Sequence, residues 1–450
     1  MSRLYVPALL LLPFCLASAA AAQNNIPTFS SMSAPLPPNA PSYRILKEQI
    51  EENLRTEVLD QWFPRAIAST NGGGFDENFS ENWTNTSNGE RSIVFQARLT
   101  WLASQAALRY PAEATRWKET ASHGADFLRT QMWDSVKGGF FWKLNQGKPD
   151  RNGEKHAYGI SFAIYALSAH YRATGDARSL DLAKRAFRWL DDRAHDEKSG
   201  GYFEAFTREG RPILSPSKES GNDFIGTRYG YKSMNTHIHL LEAFASLYEV
   251  WPDKKLKARL GEVFSLVRDT IVISPPGAMN LFFTPAWKPV PDHDSYGHDI
   301  ETAYLLVEAA HVLGRSDDER TWAVSRSLVD HTLEFGRDET NGGFYDAGGT
   351  FGGVWKDDKV WWVQAEALNA LLLMHQKYGA QTSRYWEAFQ SQWSFIQNHQ
   401  IDRTNGGWFN HVSKTGESFP DLPKSDGWTE GYHQGRALLN VSHVLNDMMK

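Results

Sequence analysis

Asn341-Gly342-Gly343-Phe344-Tyr345 is a phrase that this 450-residue chain repeats. It returns as Asn71-Gly72-Gly73-Gly74-Phe75, Gly138-Gly139-Phe140-Phe141-Trp142, Gly200-Gly201-Tyr202-Phe203 and Asn405-Gly406-Gly407-Trp408-Phe409. The second glycine of the pair falls at 73, 139, 201, 343 and 407, a recurrence of about sixty-five residues that suits a helical hairpin with its turns. The gap from Gly201 to Gly343 holds two such lengths, and Asn280-Leu281-Phe282-Phe283 stands near its middle without glycines. Six units result. Paired glycines permit positive φ in a tight turn, and the aromatic residue that follows is expected to cover the end of a neighbouring helix.

Between the phrases, apolar residues recur at spacings of three and four, the helical period. The paired segments are 93–107 with 112–132, 160–173 with 177–192, 234–250 with 255–270, 300–313 with 318–335, and 360–378 with 383–399. Residues 43–63 and 432–449 complete twelve predicted helices. An amphipathic hairpin cannot bury its face alone, so the units must stack on one another. Six hairpins suit a closed ring of six inner and six outer helices, an all-α (α/α)6 barrel. An open superhelix is the competing arrangement. Each phrase then makes a short strand-like turn from an outer helix to the next inner one.

Residues 1–22 read as a secretory signal, with Arg3 ahead of an apolar run and Ala20-Ala21-Ala22 as the cleavage site. The apolar run is too short to remain as a membrane span. Residues 23–42, rich in Pro, Ser and Asn, read as a disordered leader, and 43–450 as one catalytic domain. The expected location is therefore periplasmic or secreted. Cys15 is the one cysteine and lies in the signal, so no disulfide and no cysteine-bound metal is expected in the mature chain. A 41% hydrophobic and 13% aromatic composition supplies a large core and leaves rings for a cleft. A formal net charge of −6 without a basic run argues against nucleic acid or an anionic membrane as partner.

In such a ring the starts of the inner helices face one central cleft, and three histidine-bearing stretches fall there. In Ser233-Met234-Asn235-Thr236-His237-Ile238-His239 the two histidines point roughly oppositely, so one of them faces the cleft; Asn235 shares a face with His239. In Ser295-Tyr296-Gly297-His298-Asp299-Ile300-Glu301, Gly297 reads as a break before the helix, and His298 and Glu301 share the face of its first turn. In Trp428-Thr429-Glu430-Gly431-Tyr432-His433-Gln434-Gly435-Arg436, His433 and Arg436 share a face. An imidazole beside a carboxylate is a proton-transfer unit near neutral pH. Each histidine alone is equally well a helix cap or a satisfied core group. Three at matching positions of a repeat favour a shared cleft. His-x-His with Glu301 or Glu366 is also a zinc-ligand pattern. No stretch offers a pair on one helical face such as His-Glu-x-x-His, however, and neither metal nor cofactor is expected.

The chain resembles the N-acylglucosamine 2-epimerase family, and within it the cellobiose-epimerising branch. The resemblance is carried by Phe95-Gln96-Ala97-Arg98, Ala157-Tyr158-Gly159 with 162–168, Lys232 to Ala243, and Ser295 to Glu301. Trp361-Trp362-Val363-Gln364-Ala365-Glu366-Ala367 and Tyr432-His433 with Gly435-Arg436 complete it. It implies inversion at C2 of the reducing-end glucose or mannose of a β-1,4-linked disaccharide, through a ring-opened cis-enediolate. By that resemblance His298 and His433 are the two bases, His239 assists ring opening, and Arg98 stabilises the enediolate. Glu301 would orient His298 and tune its pKa, and Tyr158, Asn235, Trp362, Trp428, Arg436 and Glu366 would contact sugar. The run before His433 departs from the family's usual Trp-Lys-Cys-Pro-Tyr-His-Asn-Gly-Arg, with Glu430 in place of a small neutral residue. Segments 74–89 and 212–231 read as enlarged loops.

An aldose–ketose isomerase and an N-acylhexosamine epimerase remain competing readings of the same residues. An inverting glycoside hydrolase would need two free cleft carboxylates, and a non-catalytic sugar binder would need none. The expected partner is a small neutral carbohydrate, with the chain a monomer or weak homo-oligomer.

Overall fold

A computed structural model describes residues 35–70, 72–216 and 220–450. The signal read at 1–22 and the leader as far as residue 34 lie outside the described residues, as does Asn71. Twelve helices follow: α1 over residues 40–66, α2 Ile93–Arg109, α3 over 114–132, α4 Ala157–Thr174, α5 Ala177–Arg193 and α6 Met234–Val250. Then come α7 over 254–271, α8 Tyr296–Val312, α9 over 319–336, α10 Trp361–Tyr378, α11 over 384–400 and α12 Tyr432–Asp447.

The even-numbered helices form the inner ring. Each packs along the next, and α12 returns to both α1 and α2, which excludes the open superhelix. Inner and outer helices differ in the way their places require. Inner α4 is buried continuously from Ala157 to His170, whereas outer α5 buries a stripe through Leu182, Ala186, Phe187 and Leu190 and turns its charges outward. The outer helices α3, α7, α9 and α11 end in a π-type turn, whereas in α1 the π segment Leu54–Leu59 lies inside the helix. Glycine pairs at positive φ follow, with Gly138 at 70° and Gly139 at 72°, and Gly406 and Gly407 both at 77°. A β-bridge seals each turn, as in Trp133 with Phe140 and Ile401 with Trp408.

One rim of the ring is laced by short antiparallel pairs. Lys155–His156 pairs with Ala205–Phe206, Lys232–Ser233 with Phe282–Phe283, Asp294–Ser295 with Ala347–Gly348, and Lys359–Val360 with His411–Val412. A bridge between Phe79 and Ser425 joins the last unit to the first. The residues just ahead of each inner helix are thus fixed to the adjacent unit, and this aims the inner-helix starts at the centre.

Three expectations need correction. The ordered chain begins before residue 43. Leu36 accepts from Trp386 Nε1 at 2.7 Å, and Asn39 caps α1 by accepting from Ser42 N at 3.1 Å, so the segment read as the end of a leader is docked. The fourth phrase is Gly277-Ala278-Met279, not the aromatic run after it. Val272 pairs with Met279 as Trp133 does with Phe140, and Phe282–Phe283 is the rim strand. Finally, Gly297 and Gly159 lie inside helices. A Cβ on either would sit 2.4 Å from Trp362 or Ile93, so glycine there allows inner helices to approach closely.

Candidate active site

Where the inner helices begin, a cavity of about 190 Å³ is lined by Arg98, Tyr158, Asn235, His239, His298, Glu301, Trp361, Trp362, Trp428 and His433. The side chains come from all six inner helices, with Trp428 from just before the last. Trp362 touches two imidazoles, its ring centre 4.8 Å from that of His298 and 5.5 Å from that of His433.

Each histidine is held by its Nδ1. His298 meets the Ser295 hydroxyl at 2.6 Å, His433 meets Glu366 Oε1 at 2.8 Å, and His239 meets Glu242 Oε2 at 3.2 Å. Nε2 of each is left uncommitted. A carboxylate can only accept, so Glu366 keeps the proton of a neutral His433 on Nδ1 and the lone pair on Nε2. His237 points the other way: its Nε2 accepts from Tyr202 N at 3.0 Å and its Nδ1 meets the Ser233 carbonyl at 2.7 Å. Of the two histidines, His239 is the one in the pocket.

Beneath the pocket floor, Arg436 gathers carboxylates from three other inner helices. It donates to Glu242 at 2.5 Å and to Glu366 at 2.6 Å, and also to Glu301. Arg436, Glu242, Glu301 and Glu366 are each 3% exposed or less. The Tyr432 hydroxyl adds a 2.7 Å bond to Glu242. Arg98 lies at the pocket wall with Nη1 3.1 Å from Glu430 and Nη2 3.2 Å from the Tyr158 hydroxyl.

Burial drives the ionisation of the histidines. It pushes His298 down to about 4 against the opposing pull of Glu301. His433 falls well below its ordinary value, through burial and then the Arg98 cation. Glu242 would be raised by burial, but Arg436 and His239 bring it to about 2. Burial raises Glu430 to about 7 despite Arg98.

The arrangement offers two imidazoles against one aromatic wall and a fixed guanidinium, and the one carboxylate among the described lining residues, Glu301, is held by Arg436. With that geometry in view, the comparisons with known proteins fall into place. The N-acylglucosamine 2-epimerase (GlcNAc 2-epimerase) family matches residues 73–437. The chain belongs to this family. The cellobiose 2-epimerase of Bacteroides fragilis is 31% identical over 399 residues, 88% of this chain and 98% of its own. The solved cellobiose 2-epimerase of Spirochaeta thermophila superposes with a TM-score of 0.80 at 30% identity, over 91% of this chain and 99% of that one. The D-mannose isomerase of Marinomonas mediterranea is 24% identical over 400 residues, 85% of this chain and 94% of its own. Membership makes the chain a sugar epimerase, acting at C2 of a carbohydrate.

In this family member the structure brings together His298, His433, His239, Arg98, Glu301, Tyr158, Asn235, Trp362 and Trp428. Arg436 and Glu366, expected to contact sugar, do not line the pocket; they are the floor that holds His433. Glu301 does not orient His298. Its carboxylate is drawn to Arg436, and Ser295 holds that ring instead. Glu430 stands behind Arg98 and not against the substrate space. Sequence reasoning missed Ser295, Trp361 and Glu242. Glu242 carried a usable signal, since it follows His239 by three residues and so shares its helical face.

Proposed function

We propose that the chain interconverts glucose and mannose at the reducing end of a β-1,4-linked disaccharide such as cellobiose. His298 and His433 are the two proton-transfer groups in this reading. The observation that carries it is that both rings line one cavity against Trp362, each with Nδ1 tethered.

Ring opening turns C1 into an aldehyde and makes the C2 hydrogen acidic. One neutral imidazole removes it as a proton, and the electron pair moves into a C1–C2 double bond with negative charge on O1. The opposite imidazole, in its protonated form, returns a proton to C2 on the other face. One proton leaves and one arrives, so the configuration inverts without oxidation or reduction. Arg98 faces the developing oxyanion, and His239, tethered to Glu242, serves the O1 and ring-oxygen proton transfers of opening. Trp362 and Trp428 offer flat faces to the pyranose rings.

A second reading, an aldose–ketose isomerase, is favoured by the similarity to the D-mannose isomerase. It shares the enediolate and differs in protonating C1. Incubation of the enzyme in D2O with cellobiose, mannobiose, mannose and N-acetylmannosamine separates the two. Deuterium at C2 of a 4-linked glucose–mannose pair is expected. Deuterium at C1 of a ketose would establish the isomerase, and product lacking deuterium at both carbons would refute both. A hydrolase is disfavoured because Glu301 and Glu366 are bound by Arg436 and Glu430 by Arg98. We further propose a neutral carbohydrate as partner, a monomer or weak homo-oligomer, and export after cleavage near Gln23, which N-terminal sequencing of the mature protein tests.

A further inference from the structure

Buried salt bridges repeat around the rim. Lys155, Lys232 and Lys359 each precede an inner helix by two residues, are fully buried, and meet Asp134, Asp196 and Asp338 at 3.2, 2.7 and 2.8 Å. Lys424 meets Asp402 at 2.6 Å ahead of α12, and Arg91 meets Asp76 ahead of α2 at 2.5 Å. Each buried carboxylate thus has a buried or half-buried cation.

Ahead of α8 the pattern inverts. The cation's place is taken by Asp294, 1% exposed, and Asp299 from the first turn of α8 joins it at 0%. Among the described residues none of their four oxygens meets a well-formed donor, and the two carboxyl groups lie within reach of each other. The Met279 backbone N–H lies near enough to favour charge on Asp299. His331 of α9, 2% exposed, completes the cluster. Its Nδ1 is 3.3 Å from Asp299 Oδ2 and its Nε2 is 3.6 Å from Asp294 Oδ2. Nε2 donates to the Thr350 carbonyl at 2.7 Å, which leaves Nδ1 as the lone-pair nitrogen without a hydrogen-bond partner. A ring nitrogen fixed by a backbone carbonyl while the other is free is the second-shell arrangement of a metal-bound histidine.

We propose that Asp294, Asp299 and His331 bind one divalent transition-metal ion, of the zinc class, in the place that a lysine ammonium occupies in the other units. One nitrogen and one oxygen from each carboxylate already lie within 4.8 Å of one another. Donors around tetrahedral zinc stand about 3.4 Å apart, so the widest separation closes by at most about 1.4 Å on binding. The ion is structural. It lies outside the sugar pocket and fixes Asp294, the neighbour of Ser295, whose hydroxyl holds His298.

The test uses the full mature chain and Zn2+. Elemental analysis of protein purified without chelator is expected to find about one zinc per chain. Dialysis against EDTA should lower the melting temperature by several degrees, and one equivalent of ZnCl2 should restore it. Asp299→Asn should abolish both retention and restoration. Asp294→Lys, which reinstates the ammonium of the other units, should melt near the zinc-loaded protein and ignore EDTA and zinc alike. That variant separates loss of the ion from failure to fold. Protein without stoichiometric metal, whose melting is unmoved by EDTA or added Zn2+, would overturn the site and leave two carboxylic acids sharing a proton.

Discussion

The two imidazoles that touch Trp362 are held in opposite ways. His298 leans on a local hydroxyl three residues away, Ser295, which can donate or accept as the ring's proton moves. His433 leans on Glu366, 67 residues away, in a buried network that Arg436 extends to Glu242 and Glu301 across four inner helices. One side of the pocket is thus adjustable and local, the other charged and shared by the barrel. Substitutions should break the two sides differently.

The largest effects are expected where the two sides are equal. His298→Ala and His433→Ala should each lower kcat by about 10³-fold or more with the far-ultraviolet spectrum unchanged, because neither proton transfer has a substitute. Near-wild-type turnover from either variant would end the two-base reading. Arg436→Met comes next, and it separates the sides. It leaves Glu242, Glu301 and Glu366 buried without their cation and should cost about 3–5 kcal/mol of stability in urea unfolding. Ser295→Ala exposes no buried charge and should cost under about 1.5 kcal/mol, the worth of one neutral hydrogen bond. In steady-state kinetics Glu366→Gln should lose about 10–100-fold in kcat, by analogy with the carboxylates that orient ligating histidines. Ser295→Ala should lose less.

The repeat was open to reading because its turn chemistry is imposed. Gly138, Gly139, Gly342 and Gly343 all sit near φ 70–80°, where other residues are strained, so the phrase had to recur in recognisable form. The fourth unit hid itself because Gly277-Ala278-Met279 lacks the second glycine and the aromatic, and because loop 212–231 stretched the period. Gly297 looks like a break, when its purpose is contact with Trp362, and α4 begins at Ala157, ahead of the segment read from residue 160, with Gly159 against Ile93. Residues facing the pocket followed from helical spacing and from family resemblance. The floor did not, since Arg436 and Glu242 stand 194 positions apart and meet only through the register of the closed ring. No spacing rule reveals which buried carboxylate a distant arginine will take.

The smallest effect concerns pH, and it distinguishes the two sides without mutation. Burial lowers both histidines and Glu301 opposes it at both, but Arg98 and Arg436 depress His433 further, whereas His298, at about 4, has no arginine against it. His298 must be neutral to act as a base, so its protonation contributes the acid limb of kcat/KM. That limb should fall well below pH 6.5, the ordinary histidine value. The sign for stability follows from the same shift. Below pH 6.5 the unfolded chain binds protons that the folded pocket refuses, so stability declines as pH falls from about 6.5 toward 4 and is retained above. Kinetics on cellobiose between pH 4 and 8, with melting curves in the same buffers, measure both limbs. An acid limb at 6.5 or higher would mean that water or a neighbouring anion relieves His298 of its burial, and that the hydroxyl-held side is less enclosed than the carboxylate-held one.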